Sequence, residues 1–199
     1  MKTPLASILF CAVLFAAPAA FADHWNLPQA LSPANTKVTF EVDSTWHLVE
    51  GQAKQIEGRV WLEDPKDPKS VRAKVSLPVA AFDTDSENRD EKMRKVMHAE
   101  AAPAVVFTFS ETAAGICAPD SVSETTPCRF EMPGKLSISN VEKDIVVHAQ
   151  IAKQGSAYQI TGVAGLKWAD YGVEDPSILI ATLDDDVKVE FTVTLNPQG

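Results

Sequence analysis

Four histidines, three consecutive aspartates and three cysteines are the residues whose types could carry acid–base, metal or redox chemistry. His24, His47, His98 and His148 are scattered, and none sits at the ligand spacing of a zinc site. Each therefore reads as a surface or interface residue. Asp184-Asp185-Asp186 lacks the glycine and the downstream glutamate of an EF-hand loop, and is expected to be a solvated turn before the last strand. There is no P-loop, G-x-G-x-x-G, H-E-x-x-H or G-x-S-x-G. No nucleophile, acid–base pair or metal set is laid out along the chain, so neither catalysis nor a cofactor is expected.

Cys117 and Cys128 flank a stretch rich in Pro, Ser and Thr, at a spacing that is not the C-x-x-C of redox enzymes. In an oxidising compartment the pair predicts a disulfide stapling a loop, with two free thiols as the alternative. Cys11 falls in the N-terminal apolar stretch.

What remains is apolar. Phe40, Trp46, Trp61 and Phe82, with Phe107, Phe109, Trp168 and Phe191, are many large rings for a small domain. They either fill a core or line a cavity, and the discriminating question is whether Phe40, Phe107 and Leu136 touch one another or surround empty volume. A barrel of about eight strands accommodates both outcomes.

The elements that must position these rings are strands. Val38, Phe40 and Val42 alternate with Lys37, Thr39 and Glu41 over 36–42, the period-2 pattern of a half-buried strand. Residues 45–49 are expected to stay extended and Gly51 to break the run. Further strands are expected over 53–62, 71–79, 105–110, 130–138, 142–151, 158–166 and 186–195. A turn is expected at Ser139-Asn140, and residues 23–35 form an irregular lead-in. Residues 87–98 are charged, lack β-branched residues until Val96 and space Met93 and Met97 four apart. They predict the one helix, with Asp85 or Ser86 as N-cap. Seven or eight strands with short turns indicate an all-β antiparallel barrel or sandwich.

The N-terminus predicts export. Lys2, the uncharged stretch from Leu5 to Ala17 and the Ala20-Phe21-Ala22 site give a signal peptide over 1–22, with one domain over 23–199. The stretch is shorter than the roughly 20 residues that span a bilayer. No later segment is apolar enough to do so, so no stable membrane insertion is expected. The net charge of −9 argues against nucleic acid and against docking on anionic lipid.

Several motifs occur in a telling order. They are Thr36-Lys37-Val38-Thr39-Phe40-Glu41-Val42 with Trp46-His47, then Ile56-Glu57-Gly58-Arg59-Val60. Next comes Phe82-Asp83-Thr84 through Asn88-Arg89-Asp90 and Met93-Arg94 to Ala102-Pro103 and Val106-Phe107. Gly134-Lys135-Leu136-Ser137-Ile138 ahead of Glu142-Lys143, and Asp170-Tyr171-Gly172, complete the set. Together they resemble the YceI-like family of bacterial periplasmic proteins over nearly all of 36–195. Trp168 stands where that family has an arginine, Asn140 where it has a glycine, and the cysteine loop is an insertion.

The resemblance implies an extended, lipocalin-like antiparallel β-barrel of about eight strands with one short helix. It implies a periplasmic binding protein without catalysis, whose partner is a hydrophobic small molecule: a polyisoprenoid, a quinone-type tail or an acyl chain in an apolar tunnel. A homodimer is compatible with such a barrel. The implied ligand-binding residues are Phe40, Trp46, Phe82, Phe107 and Phe109, together with Leu136, Trp168, Met93 and Arg89. Arg89 with Asp90 is alternatively an ion pair or cap at the loop-to-helix junction, and Met93 alternatively packs helix on barrel. The competing account is a structural or stress-response interaction module with a filled core. An enzyme acting on a lipid lacks the converging groups it would need.

Overall fold

Alternation of apolar and polar residues, sustained strand after strand, gives one continuous sheet with an apolar inner face. The computed structural model describes residues 27–118, 121–177 and 182–196; the expected signal peptide over 1–22 lies outside them. The strands are β1 (Gln29–Leu31), β2 (Thr36–Ser44), β3 (Val49–Ala53), β4 (Glu57–Leu62), β5 (Val71–Pro78) and β6 (Phe82–Asp83). After the helix α1 (Glu87–Val96) come β7 (Ala104–Phe109), β8 (Cys128–Ile138), β9 (Val141–Gln154), β10 (Ala157–Lys167) and β11 (Leu183–Leu195). All pairings are antiparallel, in the order β1-β4-β5-β7-β8-β9-β10-β11-β2-β3-β6.

The connection between β3 and β4 shows why this sheet must curl. The two strands stand near opposite ends of the order. Yet only residues 54–56 join them, a reach of at most about 15 Å. Ile56 within this connection is buried at the seam, and the Lys54 N–H donates to the Ala81 carbonyl at 2.8 Å. The sheet therefore wraps round on itself as a lipocalin-like half-barrel, not as two sheets of a sandwich.

Among the described residues, eleven strands replace the about eight expected, for local reasons. The strand expected over 53–62 begins only at Glu57 as β4, and Ala53 instead ends a separate strand, β3, on the other side of that seam. The lead-in contains β1, which covers the edge of β4, and β6 adds a two-residue rung to β3. Gly51 does not break a run; it lies inside β3 opposite Phe40, and the break falls earlier, at the bends over 45–47. The aspartates 184–186 belong to β11, where Lys167 Nζ bridges Asp185 and Asp186 at 2.7 and 3.0 Å. Trp61 faces outward, with the Arg59 guanidinium stacked 4.5 Å from its ring.

α1 is shorter than expected. Ser86 is its N-cap residue, in extended conformation, without a side-chain capping bond. The helix stops at Val96, and His98 turns into the left-handed region (φ 55°). The Ser139-Asn140 turn ties the segment that follows α1 to the barrel. Ser139 Oγ donates to the Met97 carbonyl at 2.9 Å, and Asn140 Nδ2 to the Ala101 carbonyl at 3.2 Å. Both turn residues have positive φ, which Asn tolerates nearly as glycine does.

Candidate ligand cavity

Two apolar clusters occupy the barrel. One, around Leu31, Phe109, Phe130, Ile151 and Leu195, fills the end remote from α1. The other, around Val38, Phe82, Val105, Leu136 and Tyr171, lies beneath the helix. Val75, Phe107, Ile145 and Phe191 pack against both. Between them runs a cavity of about 360 Å³, within the ~300–1,000 Å³ typical of small-molecule sites. Among the described residues its lining is apolar apart from Thr36, Thr84, Arg89 and Lys92.

Three phenylalanines keep this space open by lying on glycines. A Cβ at Gly51 would stand 2.2 Å from the Phe40 ring, one at Gly162 2.4 Å from Phe191, and one at Gly134 2.8 Å from Phe107. Each ring thus occupies the place of a missing side chain on the adjoining strand and lies against the wall, instead of projecting across the lumen. Phe82 meets Phe40 with centroids 5.6 Å apart and planes tilted by 50°.

Eight of the nine expected ligand residues line the cavity: Phe40, Phe82, Arg89, Met93, Phe107, Phe109, Leu136 and Trp168. Phe109 sits at the deep end, 1 % exposed. Trp168 lines the wall while its Nε1–H donates to the Asp184 carbonyl at 2.8 Å. Trp46 is the exception. It is 69 % exposed in the β2–β3 turn, beyond the Val42–Val49 rung that still lines the cavity. A turn residue past the last rung is aimed away from the lumen.

Arg89 and Asp90 do not pair with each other; both act on Thr84. The Asp90 carboxylate accepts from the Thr84 N–H at 3.0 Å and from its hydroxyl at 2.5 Å. Arg89 donates to the Thr84 hydroxyl at 2.8 Å and to its carbonyl. Thr84 and Asp90 are buried, 4 % and 5 % exposed, whereas Arg89 reaches the cavity lining. The dipeptide thus fixes the loop before α1 through Thr84, and the Arg89 side chain also lines the cavity. Lys92, one turn on, adds a second cation there. Thr84 and Lys92 have no sequence signal as lining residues beyond their place in the motif and on the helix.

The Asp170-Tyr171-Gly172 segment is structural. Gly172 takes φ 69° to end a 3-10 turn, and Tyr171 is buried in the cluster under α1. That burial, with Asp170 adding to it, raises the phenol pKa above its usual value. Among the described residues the histidines do not converge: His47 is exposed in the β2–β3 turn, and His148 lies 3.6 Å from Glu131 on the outside.

At the deep end, Cys117 and Cys128 are joined by a disulfide, as expected. The chain leaving β7 runs beside β8, where Ala114 and Glu131 form an isolated antiparallel bridge. Ala113 and Val122 are buried in the deep cluster, and Ile116 reaches the cavity. The loop then meets the β9–β10 turn, where Glu124 Oε1 accepts from the Gly155 N–H at 2.9 Å.

The model of the YceI-like domain family matches residues 30–195. A "UPF0312 protein" of Azotobacter vinelandii is 26% identical over 117 residues, covering 56% of this chain; the match spans 57% of that relative's own length. Among solved structures, Burkholderia cenocepacia BcnA superposes with a TM-score of 0.66 at 20% identity, over 80% of this chain and 95% of that one. A polyisoprenoid binding domain from Saccharophagus degradans, implicated in plant cell wall breakdown, gives 0.64 at 12% identity, over 86% and 98%. A Campylobacter jejuni YceI protein gives 0.59 at 23% identity, over 76% and 86%. At these identities the structural likeness speaks to the fold.

Proposed function

The chain belongs to the YceI-like family, and on that footing we propose that it is an exported, periplasmic binding protein that carries one long apolar chain (an isoprenoid, a quinone-type tail or an acyl lipid) and performs no catalysis. The observation that carries this reading is the lumen itself: a cavity of about 360 Å³, walled by aromatic rings laid flat on glycines, with few polar groups. The likeness to a polyisoprenoid binding domain points the same way. So does the scatter of the histidines.

Magnitudes favour long chains. Each buried CH₂ contributes roughly 0.8 kcal/mol. Association costs on the order of 4–15 kcal/mol, so about ten methylenes only begin to offset it. A short lipid stays in water or membrane, whereas a long one gains enough to be held. A filled-core interaction module, the alternative, makes no use of the cavity.

Titration with a fluorescent apolar probe tests the proposal. Saturable binding at one probe per chain is expected, displaced by long-chain alcohols and not by their head groups alone. Fluorescence that never saturates, or that a head group displaces equally well, counts against it.

A further inference from the structure

The deep end of the cavity is built differently from its walls. The walls are mostly strands of the one sheet, paired side by side. The floor includes Ile116, which belongs to no strand. Two tethers hold it there. Ala114 and Glu131 exchange backbone hydrogen bonds of 2.9 and 3.3 Å just before it, and the adjoining Cys117 is bonded to Cys128 at the start of β8. It packs against the cluster that contains Leu27, Leu31, Ile151 and Leu195, all buried and all lining the cavity. The cationic lining residues, Arg89 and Lys92, are on α1 at the other end.

We propose that Ile116 is the chain-length stop of the cavity: the disulfide-tethered segment 113–117 presents this side chain as a floor against which the apolar end of the bound chain abuts. This rests on the lipid-carrier reading above. A head group with any polarity stays at the α1 end, near Arg89, Lys92 and Thr84, and the tail points at Ile116. A chain that just reaches the floor buries every methylene. A longer one must fold back or leave methylenes in water, and gains nothing more. The floor is also adjustable, because a loop side chain changes without disturbing the barrel ladder.

The test is competition against a fluorescent apolar probe by linear primary alcohols, each one methylene longer than the last. For the wild-type protein, affinity rises about fourfold per methylene and then stops rising at a definite length. Ile116→Ala removes roughly three carbons from the floor, so the break moves to chains about two to three carbons longer. Ile116→Trp moves it to shorter chains. Opposite shifts from the two variants, with unchanged affinity for the shortest alcohols, support the assignment. If wild type and both variants bind alcohols with the same break, Ile116 is not the stop, although the carrier reading survives. If the wild-type protein binds no alcohol at all, the carrier reading fails and the stop fails with it.

Discussion

The Phe191 ring lies over Gly162, its partner across β10 and β11, so closely that a Cβ on the glycine would stand 2.4 Å from it. The same arrangement recurs where Phe40 covers Gly51. Each glycine is a parking place for a ring, and the lumen is the volume those rings vacate.

Gly162→Val should therefore act on the cavity more than on the ladder. The displaced Phe191 ring must swing into the lumen, at a cost of about 1–3 kcal/mol for overpacking. Urea denaturation should show that loss, and probe titration should show weaker uptake of long chains. A variant with full stability and full uptake would mean the ring has somewhere else to go.

Thr84 and Asp90 should be as important to stability as many core residues. Asp90→Ala leaves the buried Thr84 N–H and hydroxyl without their acceptor. A loss of about 1.5–3 kcal/mol is expected, read from denaturant midpoints, with α1 loosened from the barrel. Thr84→Val, which also removes the hydroxyl accepting from Arg89, should be destabilising through the same contacts.

Removing the disulfide closes off a separate contribution. For the loop between Cys117 and Cys128, chain entropy puts the loss in the Cys117→Ser/Cys128→Ser variant at about 2–3 kcal/mol. Thermal unfolding with and without reductant checks it: reductant should lower the wild-type Tm toward that of the variant and leave the variant unchanged.

Acid should loosen the exposed ion pairs in a defined direction. The Lys167 ammonium holds the Asp185 carboxyl below the ordinary 3.8, and the Asp85 N–H, helped by Lys54, does the same for Asp83. A carboxyl with a depressed folded-state pKa stabilises the fold fully above its unfolded value, and that contribution is lost as pH falls through the folded value. Asp185→Asn should accordingly lower Tm slightly near neutral pH, with the difference vanishing well below pH 3.8. A difference that grows in acid would reverse the assignment.

How much of this was legible from residues alone follows from which contacts are local. Period-2 alternation is local, so the long strands over Thr36–Ser44 and Val141–Gln154 were visible, as was the turn at Ser139-Asn140. Gly51 looked like a break because its partner Phe40 lies across a strand pair, where sequence spacing does not reach. The seam at 54–56 was hidden for the same reason: only the sheet order shows that its flanking strands come from opposite ends. Trp46 had the right chemistry for a lining residue and the wrong place, one turn past the last rung. Ile116 carries no sequence signal, since its position is set by a disulfide and a single bridge.

Native mass spectrometry of the protein isolated gently from the envelope of its own host tests the central claim most directly. The account predicts a species heavier than the mature chain by the mass of one hydrophobic molecule, lost on collisional activation and recovered in organic solvent. A mass of the bare chain under every condition, with Phe40, Phe107 and Leu136 touching across a filled core in a crystal structure, would contradict it.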